Sequence, residues 1–181
     1  MKKIIKLSVL FFASALVLAS CSKYDDNPAV SLKSKNGRIV GEWTLTKAEQ
    51  KLITQEHIHR METTNTETMT YDGVIMTETS GGYTSTYSYS EKMKINNDGT
   101  VEITVVDDGD TEIETDIWSW IDGTSNKELI MIGGIGGSDI FSIKKLTNKE
   151  LVLGLSYSNS YTYDGRTSSR SVIATLTYEK K

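Results

Sequence analysis

The sequence predicts an all-β fold, a single antiparallel up-and-down β-barrel of about eight to ten strands behind a signal peptide and a flexible tether. Three observations predict it. From Gly37 onward no segment sustains a helical period, while threonine, serine, tyrosine, valine and isoleucine dominate. Several stretches alternate apolar and polar residues with a period of two, as strands with one buried face require. Turn signals such as Asp164-Gly165 and Asp98-Gly99 separate these stretches, and the registers they impose agree with the alternation. A meander of this length closes on itself because closure removes the free edges.

The chain opens with a leader, residues 1–20. Lys2, Lys3 and Lys6 form a basic start, Leu7 to Leu18 an apolar run, and Ala19 and Ser20 a small-residue approach to Cys21, the only cysteine. The apolar run is roughly a dozen residues, short of the ~20 needed to span a bilayer. An unpaired cysteine has no disulfide role in an exported protein. The pattern resembles the bacterial lipobox, which implies that Cys21 is acylated and becomes the first mature residue, with the acyl chains holding the protein on a membrane.

Residues 21–36 form the lipidated tether: polar, holding the only proline, Pro28, and without a sustained period. Its reach is about 20 Å as a coil and about 50 Å fully extended. Asp25 and Asp26 resemble the surface-export signal of Bacteroidetes lipoproteins, and Ser22 stands where inner-membrane retention would favour aspartate. The outer membrane is therefore expected, with the cell surface favoured over the periplasmic face. The formal net charge is −4, and removal of the three leader lysines makes it more negative. Such a domain is poorly suited to nucleic acid or anionic lipid surfaces.

The domain at 37–181 is justified hairpin by hairpin. The strand of residues near His57 to Tyr71 turns at Tyr71-Asp72-Gly73-Val74 into Val74 to Glu78, with Met69 expected opposite Met76. Its outer parts are polar on both faces, so they should rise above the core as a ribbon. Next, Tyr83, Tyr87, Tyr89, Glu91, Met93 and Ile95 share one parity, and the turn at Asn96-Asn97-Asp98-Gly99 sets Ile95 opposite Val101, Met93 opposite Ile103 and Glu91 opposite Val105. A turn at Asp107-Asp108-Gly109-Asp110 leads to a strand ending Ile117-Trp118-Ser119-Trp120-Ile121. Either Trp118 and Trp120 or Ile117, Ser119 and Ile121 face inward, and the larger gain from burying tryptophan favours the first.

Glu128 to Ile132 and Ile140 to Leu146 add two strands joined by the glycine-rich connection Gly133 to Gly137, and the turn at Thr147-Asn148-Lys149-Glu150 leads onward. In the last hairpin Leu151, Leu153, Leu155, Tyr157, Tyr161 and Tyr163 lie on one parity. Closure at Asp164-Gly165 pairs Tyr163 with Arg166, Tyr157 with Val172, Leu155 with Ala174, Leu153 with Leu176 and Leu151 with Tyr178. A slip by one residue would bring Ile173, Thr175 and Thr177 opposite the leucines and separate the apolar faces.

Gly41-Glu42-Trp43, Asp98-Gly99-Thr100, the Trp118 strand, the run Ile143 to Leu153 and the closing Leu176-Thr177-Tyr178-Glu179-Lys180 together resemble the lipocalin-like lipoprotein domains of Bacteroidetes. The resemblance covers nearly the whole mature chain and implies a lipocalin-like barrel with a cavity for a small apolar ligand. It also implies that Trp43 closes one end of the barrel. The arginine that often packs over that tryptophan has no match, since the end of the chain offers only Arg170, Lys180 and Lys181.

Trp43, Tyr87, Tyr89, Trp118, Trp120, Tyr157 and Tyr161 are the candidate ligand-binding residues, because aromatic faces stack on sugars or lipids and hydroxyls orient them. The alternative is ordinary barrel filling with tyrosines on an exposed ribbon, Tyr161 and Tyr163 then forming an aromatic platform. His57 and His59 share a strand face and could approach one metal with Glu67 or Glu49, yet no dense ligand spacing supports it. Asp107, Asp108 and Asp110 lack the glutamate and glycine placement of a calcium loop. Gly133 to Gly137 runs into a strand rather than opening a helix, so it is no phosphate loop. No Gly-x-Ser-x-Gly elbow or placed base is present.

These readings lead to a non-enzymatic, lipid-anchored outer-membrane protein, expected to be a monomer without metal or cofactor. It would bind a small hydrophobic or glycan-derived ligand, or else serve as an accessory protein of an envelope complex with a filled barrel.

Overall fold

A computed structural model describes residues 34–58, 61–121, 128–134, 137–164 and 166–181. Cys21 and the leader lie outside these residues, as do His59, Gly136 and Gly165. The described chain starts with a short helix, α1 (Lys35–Ile39), which straddles the expected boundary between the tether at 21–36 and the barrel domain at 37–181. Ser34 caps it, its hydroxyl accepting from the Gly37 amide at 3.1 Å. Ile39 anchors it, fully buried against the barrel. One and a half turns are too few for a hydrophobic period to be visible in the sequence.

Ten antiparallel strands follow: β1 (Gly41–Ile58), β2 (Met61–Tyr71), β3 (Ile75–Ser80), β4 (Tyr83–Ile95), β5 (Thr100–Asp107), β6 (Asp110–Ile121), β7 (Leu129–Gly134), β8 (Gly137–Leu146), β9 (Glu150–Tyr163) and β10 (Arg166–Lys180). They close into an up-and-down barrel, with β10 and β2 flanking β1. β1 changes partner along its length. Gly41 to Thr44 pair with Ile95 to Lys92 of β4, and Ala48 to Ile58 pair with β2. The base is thus an eight-strand ring of β1 and β4–β10, and the β2–β3 hairpin is wedged between β1 and β4 above it. A register shift between Leu45 and Lys47 accommodates the change.

The core sits in the base. Ile39, Trp43, Leu45, Met93, Ile95, Val101, Trp118, Ile130, Ile132, Ile143, Leu146, Leu151, Leu153 and Tyr178 pack there as one cluster. Each large aliphatic side chain so buried contributes about 1.5–3 kcal/mol. Above this level the barrel opens. Ser142 opposite Gly154 is the last β8–β9 pair, so beyond Gly154 the described part of β9 pairs only with β10.

The last hairpin has the expected register at all five pairs, as does the β4–β5 hairpin at Ile95–Val101, Met93–Ile103 and Glu91–Val105. Asp108 and Gly109, at φ 46° and 94°, make the two-residue turn between β5 and β6. Trp118 is buried and Trp120 packs on the core, whereas Ile117 is exposed.

Three expectations are corrected. Met76 pairs with Tyr71, and Met69 with Glu78, because the turn is wider than a two-residue one. The Asp72 carboxylate accepts from the amides of Val74 and Ile75 and holds that wider loop. The residues near His57 to Tyr71 are not one strand, since His57 belongs to β1, which ends at Ile58, and pairs with Glu62 of β2. Their polarity on both faces hid the division into two strands. Gly133 and Gly134 are not connection but ladder, pairing with Ser138 and Gly137.

Candidate functional site: the tyrosine face and the barrel base

The candidate ligand residues share a face but stand at three heights. Trp43, Trp118 and Trp120 lie at the closed base. The Trp43 indole donates to the Ile39 carbonyl at 2.7 Å, and Trp118 to the Asn96 carbonyl at 2.8 Å. Trp120 stands edge-on to Trp118, with ring centres 6.0 Å apart, and donates to the Asn36 side chain at 2.6 Å. Lys35 lies 4.0 Å from the Trp120 ring centre. All three tryptophans are therefore committed to closing the barrel and holding α1.

Lys180, at the end of β10, sets a cation beside Trp43. Its ammonium lies 4.8 Å from the Trp43 ring centre and donates to the Arg38 carbonyl at 2.8 Å and to that of Val40. Gly41 makes room for it: a Cβ there would overlap the Lys180 side chain, and φ of 138° is itself unfavourable for other residues.

Midway up, Tyr87 and Tyr89 join two tyrosines and two carboxylates that reasoning from sequence did not single out as a group. Tyr178 donates to Glu91 Oε1 at 2.6 Å, Tyr89 to Glu91 Oε2 at 2.9 Å, and Tyr87 to Glu78 Oε1 at 2.6 Å. Tyr71 meets Tyr89 edge-to-face at 5.5 Å. Burial first, then the Glu91 charge, pushes the Tyr178 and Tyr89 hydroxyls well above the ordinary phenol range. Burial and the hydrogen bond to Glu78 do the same to Tyr87. These phenols stay protonated and act as donors, not as bases. The available signal was Glu91 itself, a charge on the buried parity between Tyr89 and Met93.

Tyr157 and Tyr161 stand higher still, beyond the closed base, 40% and 69% exposed, with Tyr163 at 79%. Tyr161 and Tyr163 border an open cleft of ≈ 210 Å³ with Glu56, Arg166, Thr167 and Ser168. The seven candidates therefore do not line one cavity. The inner parity of β6 at this level carries Asp110, Glu112, Glu114 and Asp116, opposite Asp107, Val105, Ile103 and Val101.

His57 is exposed near the end of β1, on the opposite parity to Leu52 and its partner Glu67, so the two do not converge. Glu49 forms an ion pair with Lys47 at 2.7 Å. Asp108 accepts from the Ser88 amide and hydroxyl at 3.1 and 3.3 Å and ties the β5–β6 turn to β4. No family model matches the chain, and neither a curated protein nor a solved structure does.

Proposed function

We propose that this chain is a lipid-anchored envelope lipoprotein of the outer membrane, acylated at Cys21, whose lipocalin-like barrel is a non-catalytic interaction module. In this reading the barrel presents a tyrosine-rich sheet to another envelope protein. The observation that carries it is the separation of levels: the base is packed with Trp43, Met93, Ile95, Leu151 and Leu153, while Tyr157, Tyr161 and Tyr163 face solvent above it. Exposed tyrosines give large contact area at low entropic cost and are favoured at protein interfaces.

The orientation fits. β1 is 18 residues long, about 60 Å at the rise of a strand, and the chain enters the barrel at its base through α1. A tether with a coil reach of about 20 Å keeps that base nearer the membrane than the tyrosines.

A second reading is a small hydrophobic or glycan-derived ligand on the inner face, favoured by the half-buried Tyr87 and Tyr89 beside the buried Tyr71 below the opening. Native mass spectrometry of the protein extracted from its own envelope separates the two. A co-purifying protein chain supports the interaction module, and a stoichiometric small molecule overturns it. Cys21→Ala should move the protein from the membrane to the soluble fraction, and retention in the membrane would refute the anchor.

A further inference from the structure

The open upper part of the barrel leaves two long strand edges on either side of the shorter β7–β8 hairpin, whose Gly137 to Phe141 pair with β7 alone, and the two long edges are built differently. The edge of β6 from Asp110 to Asp116 pairs with β5 on one side, while its β7 pairs begin only at Trp118. That edge carries Asp110, Glu112, Glu114 and Asp116, a run of like charges that repels a second copy of itself. The opposite edge is β9 from Leu155 to Tyr163, Leu-Ser-Tyr-Ser-Asn-Ser-Tyr-Thr-Tyr, which has no charge, no proline and no described partner besides β10. Every residue from Ser156 to Tyr163 is exposed. An uncharged edge of this length is a template for another strand.

Its residue order names the strand. Tyr157-Ser158-Asn159-Ser160-Tyr161 reads the same in both directions, and flanking Leu155 and Tyr163 are both apolar. A two-fold axis through Asn159 would run a second β9 antiparallel to the first. Tyr157 would then face Tyr161 of the other copy on one side of the sheet, and Leu155 would face Tyr163. Ser158 would face Ser160 on the other side. An isologous dimer requires a patch complementary to itself, and a palindromic edge strand meets that requirement. Aromatic pairs directly opposite one another are among the favourable cross-strand pairs.

We propose that two copies of this chain associate through β9, edge to edge and antiparallel about Asn159, joining their tyrosine faces into one continuous sheet. This replaces the expectation of a monomer. Charge does not oppose it. Arg170, opposite Asn159 on β10, would meet its counterpart across three strand spacings, about 14 Å. That exceeds the Debye length of about 8 Å at physiological salt. Self-pairing concerns a strand edge, whereas the interaction module concerns the tyrosine face, so either can fail without the other.

The test is disulfide trapping of the full chain in its own membrane. Asn159→Cys places two thiols across the two-fold axis and should give a cross-linked species of twice the chain mass under mild oxidation. The native chain, whose only cysteine is Cys21, and Ile113→Cys on the acidic β6 edge should give none. Native mass spectrometry of the unsubstituted chain should show the dimer, and Asn159→Lys, which sets two ammonium groups face to face, should weaken it at least about tenfold. A cross-link from residue 159 to a different protein, an uncross-linked chain, or a dimer indifferent to Asn159→Lys would overturn the proposal.

Discussion

Glu91 is a carboxylate on the inner face of the barrel, and its effect on stability can be worked out from its two phenol partners. Tyr178 is 2% exposed, so when Glu91→Leu removes its acceptor, no water replaces it. An unsatisfied buried hydroxyl costs about 1–3 kcal/mol. Tyr89 is only half-buried and can turn to water, so its share is nearer 0.5–1 kcal/mol. The apolar replacement restores part of the packing, leaving a net loss of about 2 kcal/mol. Tyr178→Phe leaves Glu91 with Tyr89 and should cost about 1–1.5 kcal/mol.

The double variant removes donor and acceptor together, so it should be more stable than the sum of the single losses by about 1 kcal/mol or more. The assay is urea unfolding of residues 22–181 followed by tryptophan fluorescence, since Trp43 and Trp118 report on the base. Additivity within about 0.3 kcal/mol would show that the 2.6 Å contact contributes no coupling, and would refute the role given to Glu91.

Two further outcomes follow from the same geometry. The native hydroxyls of Tyr178 and Tyr89 are held above the ordinary value of 10, so they keep their protons where unfolded phenols lose them. The stabilisation is complete below pH 10 and declines as pH rises through the native values. The urea midpoint should fall from about pH 10 upward and fall less steeply in Tyr178→Phe; an identical slope in the two proteins would contradict the assignment. Gly41→Ala should cost about 1–3 kcal/mol through its positive φ and should displace Lys180 from Trp43, seen as a shift in tryptophan emission. Lys180→Ala in the same chain should relieve the overlap but not the backbone strain, so recovery of full stability would locate the whole cost in the side chain.

The hairpins legible in the sequence were those in which turn chemistry and alternation constrain the same register independently. Asp164-Gly165 and the leucines of β9 allow one pairing, and a slip by one exposes every leucine. At Asp72-Gly73 only the turn residues spoke, and a side chain accepting two amides widened the loop beyond the two-residue default. The displacement of two residues preserved the inward face, which is why Met76 is buried despite its changed partner. The site was less legible because parity reports the face a residue occupies and not its height. Tyr89 and Tyr161 lie on the same inward face, yet one is bound to Glu91 and the other stands in solvent.

The partner change along β1 explains how one chain combines a filled base with an open top. An eight-strand ring is just wide enough for side chains to fill, and the base, where β1 meets β4, contains Trp43, Met93 and Ile95 at those contacts. Inserting β2 and β3 above that point widens the circumference, and the span no longer closes with side chains. The same span is where β8 leaves β9 and β6 has not yet met β7, so the long free edges of β6 and β9 appear at that level. Acidic residues protect one of these edges, and the other is uncharged with a palindromic core. The sequence difference between Asp110–Asp116 and Leu155–Tyr163 thus has a structural reason: both strands face the same opening, and only one of them carries the charges that prevent pairing.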